Sequence, residues 1–279
     1  MVSMNKLGTA DRVRVVAALV EGCSIRATVR MTGVAKNTVA KLLVDLGTAC
    51  ADYHDKHVRG VNAKRIQADE IWAFVYAKQK NVKKPGEGHG DCWTWTAIDA
   101  DSKLMISYLV GDRGTAACND FMDDVASRVV GRPQVTTDSY FGYFKAVLNA
   151  FNGEVDHAVL QKVYGPSNER STGGGRYSPP VCTGIQIKEI NGAPDRDHIS
   201  TSYVERQNLT MRMGIRRFTR LTNAFSKKVA NHAAAVALHF MHYNFCRVHQ
   251  TLRVTPAMEA GLADHVWTIE ELVALLDRQ

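Results

Sequence analysis

The sequence predicts an α/β protein: a mixed five-stranded sheet in the order 3-2-1-4-5 with flanking helices, preceded by an all-α helix-turn-helix. Three observations lead there. Residues 66–110 hold three β-rich stretches separated by turn residues, which read as an antiparallel meander. Residues 115–160 then alternate helical and strand-like periods, as expected of a mixed sheet with helices on its faces. Residues 10–46 carry helical spacing only, in short pieces broken at Gly22 and Gly33.

Composition sets the bounds. A chain of 279 residues has room for one large domain and a small one, and a hydrophobic content of 45% supports a proper core. The formal net charge of +7 and pI near 9.1 favour an acidic partner, nucleic acid ahead of an anionic membrane. Six cysteines without a CxxC pair fit reduced, buried thiols of a cytosolic protein. The N-terminus has no signal-peptide core, and the apolar run 233–245 is interrupted by His239, His242 and Asn244. A soluble intracellular protein without a membrane span is expected.

In the N-terminal part, Val13, Val16, Ala17 and Val20 share one helical face. Ser24 is placed to cap a short second helix, Ile25 to Met31. A third helix, opening at Asn37 or Thr38, carries Val39, Leu42, Leu43 and Leu46 at helical spacing. This arrangement predicts a helix-turn-helix, with Lys36, Asn37, Thr38 and Lys41 at the end that would enter a major groove. Residues 1–50 are expected to bind DNA by themselves, and polar residues 52–64 read as a linker. A small three-helix bundle packed on a neighbour is the bland alternative.

The meander comprises residues 66–77, Cys92 to Ile98 and Leu104 to Val110. A helix over 115–130, a short buried strand from Val135 to Asp138, a helix from Phe141 to Phe151 and a strand from Val155 to Leu160 follow. Residues 165–200, with Gly173-Gly174-Gly175 and Pro179-Pro180, read as one long irregular loop. The triple glycine lacks the Gly-Lys-Ser/Thr ending of a phosphate-binding loop, which excludes a nucleotide site there. Arg170, Arg176, Lys188 and Arg196, with Tyr177, predict a loop that is mobile alone and closes over a phosphate backbone. Beyond it, Thr201 or Ser202 is placed to cap a helix, and a further helix runs from Ser226 to Phe245. Thr268 and Glu271 form a capping box for a last helix ending at Leu276.

Three acids stand out against this framework. Asp69 lies mid-strand in Ala68-Asp69-Glu70-Ile71-Trp72, and Asp138 ends the fourth strand. Carboxylates in buried central strands are costly unless a cation sits beside them. Glu205 shares a helix face with Asn208, Leu209 and Arg212. Residues 206–228 contain five arginines and two lysines, Arg212, Arg216 and Arg217 among them, and no acid. Carboxylates on a rigid frame suit Mg²⁺, with Mn²⁺ as substitute, and two such ions can drive phosphodiester chemistry.

Asp69 in DEIW, Asp138 in TTDSY and Glu205 in SYVERQN resemble the DDE triad of bacterial insertion-sequence transposases, whose catalytic domain is ribonuclease-H-like. The run Tyr243 to Leu252, followed by Thr255-Pro256, is similar to the tail after the last catalytic helix of many transposases and integrases. The nearest resemblance is to the insertion sequence 1 family in its broad sense, over residues 60–265. It implies a DNA transposase that binds mobile-element ends and cleaves and joins strands. Asp69, Asp138 and Glu205 would be catalytic and hold two divalent ions. Asn208, Arg212, Arg216 and Arg217 would position DNA phosphates. Double-stranded DNA, a homo-oligomer on that DNA and a cytoplasmic, nucleoid-associated bacterial location are implied as well. Two departures are visible: the 67-residue gap from Asp138 to Glu205, which the 165–200 loop explains, and the lack of cysteines for an N-terminal zinc finger.

The expected division is 1–58 for the helix-turn-helix, 59–225 for the catalytic domain and 226–279 for a helical extension. Glu70 is expected on the opposite strand face from Asp69, as a structural or supporting acid. Asp99 and Asp101 read as turn residues. Asp195 and Asp197 lie in the loop, and Cys246 with His249 lacks a partner pair for zinc. A nuclease that cuts without joining, or an inactive DNA-binding regulator, are the alternative functions.

Overall fold

Local rules account for the helices at the N-terminus. Helix α1 (Thr9–Val20) buries Val15, Val16 and Val20, so its buried stripe is turned slightly from the predicted one. Ser24 Oγ accepts from the Ala27 N–H at 3.1 Å and caps α2 (Ile25–Thr32). Gly33 closes that helix at φ 75°, a left-handed conformation that glycine takes without strain. Helix α3 (Lys36–His57) runs through the stretch expected to begin the linker, because Leu46, Ala49, Cys50 and His54 keep one face buried. The computed structural model describes residues 7–83, 88–165, 181–219 and 222–277.

Strand β1 (Arg65–Val75) is the spine of a six-stranded sheet of order β3-β2-β1-β4-β5-β6. It pairs antiparallel with β2 (Gly90–Asp99), which pairs antiparallel with β3 (Met105–Gly111). On its other side it pairs parallel with β4 (Gln134–Thr137), and β4 pairs parallel with β5 (Asp156–Tyr164). These five strands take the predicted order 3-2-1-4-5. The sixth strand, β6 (Cys182–Asn191), pairs antiparallel with β5 and falls in the stretch expected to be loop. Its Ile185-Gln186-Ile187-Lys188 alternation is a strand period, hidden by the Gly- and Pro-rich residues before it. Gly173 to Arg176, Arg170 and Tyr177 lie outside the described residues.

The register assigns the two faces. Asp69, Thr96 and Tyr108 are cross-strand neighbours on one face; Glu70, Trp95 and Leu109 occupy the other. Helices α4 (Thr115–Arg128) and α5 (Tyr143–Ala150) cover the Trp95 face, with the Phe121 and Tyr143 rings 5.8 and 5.7 Å from the Trp95 ring. The Asp69 face is covered by α6 (Ser202–Gly214), α7 (Val229–Met241) and α3, where Phe240 lies 4.9 Å from Tyr108.

Helix α7 passes into a π-helical turn, His242–Cys246, short of the uniform helix expected to Phe245. That turn aims Asn244 inward, where its amide exchanges two hydrogen bonds with the Met105 backbone at 2.9 and 3.0 Å. Thr255 caps α8 (Pro256–Glu259), and Thr268 with Glu271 forms the expected box on α9 (Ile269–Ala274). Residues of α1, α3, the sheet, α7 and α9 belong to one buried cluster. Among the described residues no helix is long and apolar enough to cross a membrane.

Candidate active site

Parallel pairing of β1 with β4 ends at Ala68↔Thr137, so Asp69 and Asp138 are the first residues beyond it on adjacent strands. Asp69 Oδ1 accepts from the Glu70 N–H at 2.8 Å, and Oδ2 accepts from Asn208 Nδ2 at 2.8 Å. Asp138 Oδ1 accepts from the Tyr140 N–H at 2.9 Å. The helix carrying Glu205 is docked by β1 itself. Gln67 Oε1 accepts from the N–H groups of Tyr203 and Val204 at 2.8 and 3.1 Å, capping α6 from the sheet. Thr201 is the N-cap residue, but its hydroxyl instead donates to Glu205 Oε1 at 2.7 Å.

Glu70 is the residue that sequence reasoning placed too far away. Alternation points it to the Trp95 face, yet carboxylate oxygens of Asp69, Glu70 and Asp138 lie within 4.8 Å of one another. The end of β4 explains this: beyond Thr137 that flank of β1 stays unpaired until the isolated bridge of Val75 to Ser226, leaving room for the Glu70 side chain beside Asp138. Glu205 stands outside this trio. Its Oε2 accepts from Lys162 Nζ on β5 at 2.5 Å. It remains near enough for its charge to act on Asp69.

The electrostatics follow from crowding. Burial, with the Asp138 charge, pushes the Asp69 carboxyl up to about 7. Burial and the same neighbour push Glu70 up to about 8, and burial raises Asp138. One cation answers them. Arg113 lies 3.6 Å from Glu70 and 3.8 Å from Asp138, and its guanidinium stacks 4.8 Å from the Trp93 ring and 4.6 Å from the Tyr140 ring. Glu70 Oε1 is buried and has no hydrogen-bond partner.

That orphaned oxygen tests the site for a metal. Three converging carboxylates with one uncompensated buried oxygen are a hard, all-oxygen donor set, which fits Mg²⁺ or Mn²⁺ and does not favour a thiophilic ion.

The remaining predicted residues are spread over three places. Lys36, Asn37, Thr38 and Lys41 are exposed at the start of α3, where Lys41 pairs with Asp45. Asn208 is buried and directs its amide to Asp69. Arg216 is exposed, whereas Arg217 donates to Ser226 Oγ at 2.7 Å and is held down to about 10 by burial. Arg212 is half-buried on α6. Asp99 accepts from Asp101 and Ser102 in its turn, and Asp195 pairs with His198, so neither joins the acids. Cys246 carries no disulfide.

No protein-family model matches the chain, and no curated protein matches it. Among solved structures, the piggyBac transposase synaptic complex with hairpin DNA aligns over 96% of this chain and 69% of that one, at TM-score 0.38 and 11% identity. The Mos1 strand transfer complex aligns over 53% of this chain and 57% of that one, at TM-score 0.23 and 11% identity. A pre-cleavage Mos1 transpososome aligns over 85% and 78%, at TM-score 0.27 and 9% identity. Likenesses this loose carry no argument, so any functional reading rests on the residues of the site.

Proposed function

We propose that the chain is a DNA transposase of the insertion sequence 1 type, cleaving and joining DNA strands with Asp69, Asp138 and Glu205 as its triad. The observation that supports this most is the placement of Asp69 on β1 beside Asp138, the residue just past the end of the adjacent parallel strand β4, with Glu205 on a helix docked to β1. A divalent cation held there would supply charge for activating water or a 3′-OH and for stabilising the leaving oxygen.

The chain's own residues do the rest. Asn208 fixes the rotamer of Asp69, and Gln67 fixes the start of α6, so the acids are held before DNA arrives. Arg113 and Lys162 neutralise the acids in the DNA-free protein. In the complex both cations lie beside the place where a phosphodiester would sit, and they can turn from carboxylate to phosphate. Glu70 is a fourth acid of the same centre, in ligand or proton-holding position. Lys36, Asn37, Thr38 and Lys41 supply the DNA-reading end of α3. Arg212, Arg216 and Arg217 follow the triad helix as the basic run. The reading includes a DNA-bound homo-oligomer and a bacterial cytoplasmic setting at the nucleoid.

The deciding experiment is a Mg²⁺-dependent cleavage and joining assay on DNA carrying the element's own termini. Asp69→Ala, Asp138→Ala and Glu205→Ala should each abolish cleavage while leaving DNA binding intact. A variant with near-normal cleavage removes that residue from the triad, and cutting without joining favours a nuclease.

A further inference from the structure

Helix α6 has a second working face. At about 100° per residue, Tyr203, Gln207 and Thr210 project from the side of the helix opposite Glu205, and Arg206 from the flank between. They line a cavity of about 570 Å³, closed on its other sides by the β2–β3 turn and by the segment after the π-helical turn. Lys103, Arg206, Arg247 and His249 all border it, and no carboxylate does. Among the described residues, neither Arg206 nor Arg247 has a carboxylate partner.

Two details indicate a ligand of defined chemistry. Gln207 is only 3% exposed, lines the cavity and has an Nε2 without any hydrogen-bond acceptor. A buried amide donor left unpaired is costly, so an acceptor belongs in the cavity. Lys103 is held in place, its ammonium 3.3 Å from the centroid of the Tyr203 ring and donating to the Ala100 carbonyl. Burial together with the Lys103 and Arg247 charges pushes His249 downward. Converging cations and an orphaned N–H without any acid form a receptor for a phosphate ester.

We propose that this cavity binds a backbone phosphate of DNA, separate from the phosphate attacked at the carboxylates. The inference deepens the transposase reading and rests on it for the identity of the strand. The cavity opens to solvent past Arg206, Val248 and Gln250, all exposed, which a polymer requires. It meets an adjoining cavity at Lys103 and Tyr203 that bears Asp101, Asp197 and Glu259. Those acids bound the cationic stretch on that side. Since α6 is about 10–12 Å across, a strand held here fixes the helix that carries Glu205 without touching the reacting atoms.

The test uses the full chain and the double variant Arg206→Gln/Arg247→Gln, both positions being exposed. Binding to a random-sequence duplex is measured against salt, beside the wild type. Affinity should fall about tenfold at moderate salt, as expected when hydrogen bonds to a charged group are lost. The slope of log K against log[salt] should become shallower by about 0.9 for each phosphate lost. Arg206→Lys/Arg247→Lys should restore most of the slope. Gln207→Leu, which removes the orphaned donor without a cavity, should weaken binding while keeping thermal stability. An unchanged slope in the folded Gln double variant overturns the proposal.

A parallel arm titrates inorganic phosphate into DNA-free protein, followed by phosphorus NMR line width. Phosphate binding lost in the variant, with unchanged DNA binding, would assign the cavity to a small phosphorylated ligand and overturn the DNA assignment. Cleavage is read separately. A salt slope that responds in a protein that never cleaves DNA would leave this cavity standing and remove the transposase reading.

Discussion

Asn208 on α6 donates to Asp69 on β1 across 2.8 Å, which ties the helix of the third acid to the strand of the first. Thr96 on β2 supports the pair, donating to the Asp69 carbonyl at 3.0 Å and lying 3.5 Å from Asn208 Oδ1. Asn208 therefore acts through Asp69 as a positioning residue. Asn208→Ala should lower metal-dependent cleavage about 10–100-fold and raise the Mg²⁺ needed for half-activity, as loss of support behind a metal ligand commonly does. Metal titrations of the cleavage rate check this. A reduced rate with an unchanged Mg²⁺ requirement would show that the hydrogen bond does not serve the metal site.

The second prediction concerns the crossing of α3 and α7. A Cβ built at Gly47 would lie 2.4 Å from the Ala234 carbonyl oxygen and 2.6 Å from its Cα. Backbone cannot yield as a flexible side chain can, so the two helices would have to separate. Gly47→Ala should destabilise the protein by about 1–3 kcal/mol, the usual cost of overpacking, despite the better helix propensity of alanine. Denaturant unfolding measures it, and a neutral or stabilising result would mean that the crossing is looser than described. The same contact makes the full chain the right object for testing DNA binding by Lys36 and Lys41, since a 1–58 fragment would expose the face of α3 that α7 covers.

The residues that could be read from sequence share one property: their signal is local. The meander, the Asp69 and Asp138 strand positions, the Ser24 cap and the Thr268–Glu271 box all follow from neighbours within a few residues. Strand β6 was legible in its Ile-Gln-Ile-Lys alternation but was overshadowed by the glycines and prolines preceding it. Glu70 was not legible, because alternation assigns a side chain to a face and says nothing about where a neighbouring strand ends. Arg113 and Lys162 meet the acids only through the tertiary fold, the latter from a strand 43 residues before Glu205. The phosphate-type cavity escaped for the same reason: Lys103, Arg206 and Arg247 come from three separated segments.

The last prediction concerns pH in the metal-free protein, and its sign needs both kinds of buried group. Asp69 and Glu70 titrate near 7 and 8 in the folded state, against about 4 in an unfolded chain. Between those values the folded state binds more protons than the unfolded one, so their contribution to stability is full below about pH 4 and is lost as pH rises toward 8. Buried His54, His157 and His232 are lowered to about 4, and His239 to about 3. Their contribution runs the other way: it is present above about 6.5 and lost as pH falls. The opposing trends overlap below about 6.5; between about 6.5 and 8 the two acids titrate, and His265, raised by its hydrogen bonds to Asp264 and Glu271, adds a smaller loss of the same sign. Thermal stability with metal chelated should therefore fall across that window. Asp69→Asn/Glu70→Gln should flatten the fall, and Mg²⁺ should reverse it in the wild type, because a cation favours the ionised acids. Melting temperatures at half-unit steps of pH provide the check. A wild-type curve that is flat or rising from about 6.5 to 8, or an undiminished fall in the double variant, would mean that the carboxylates are not held protonated by burial and by the neighbouring acids.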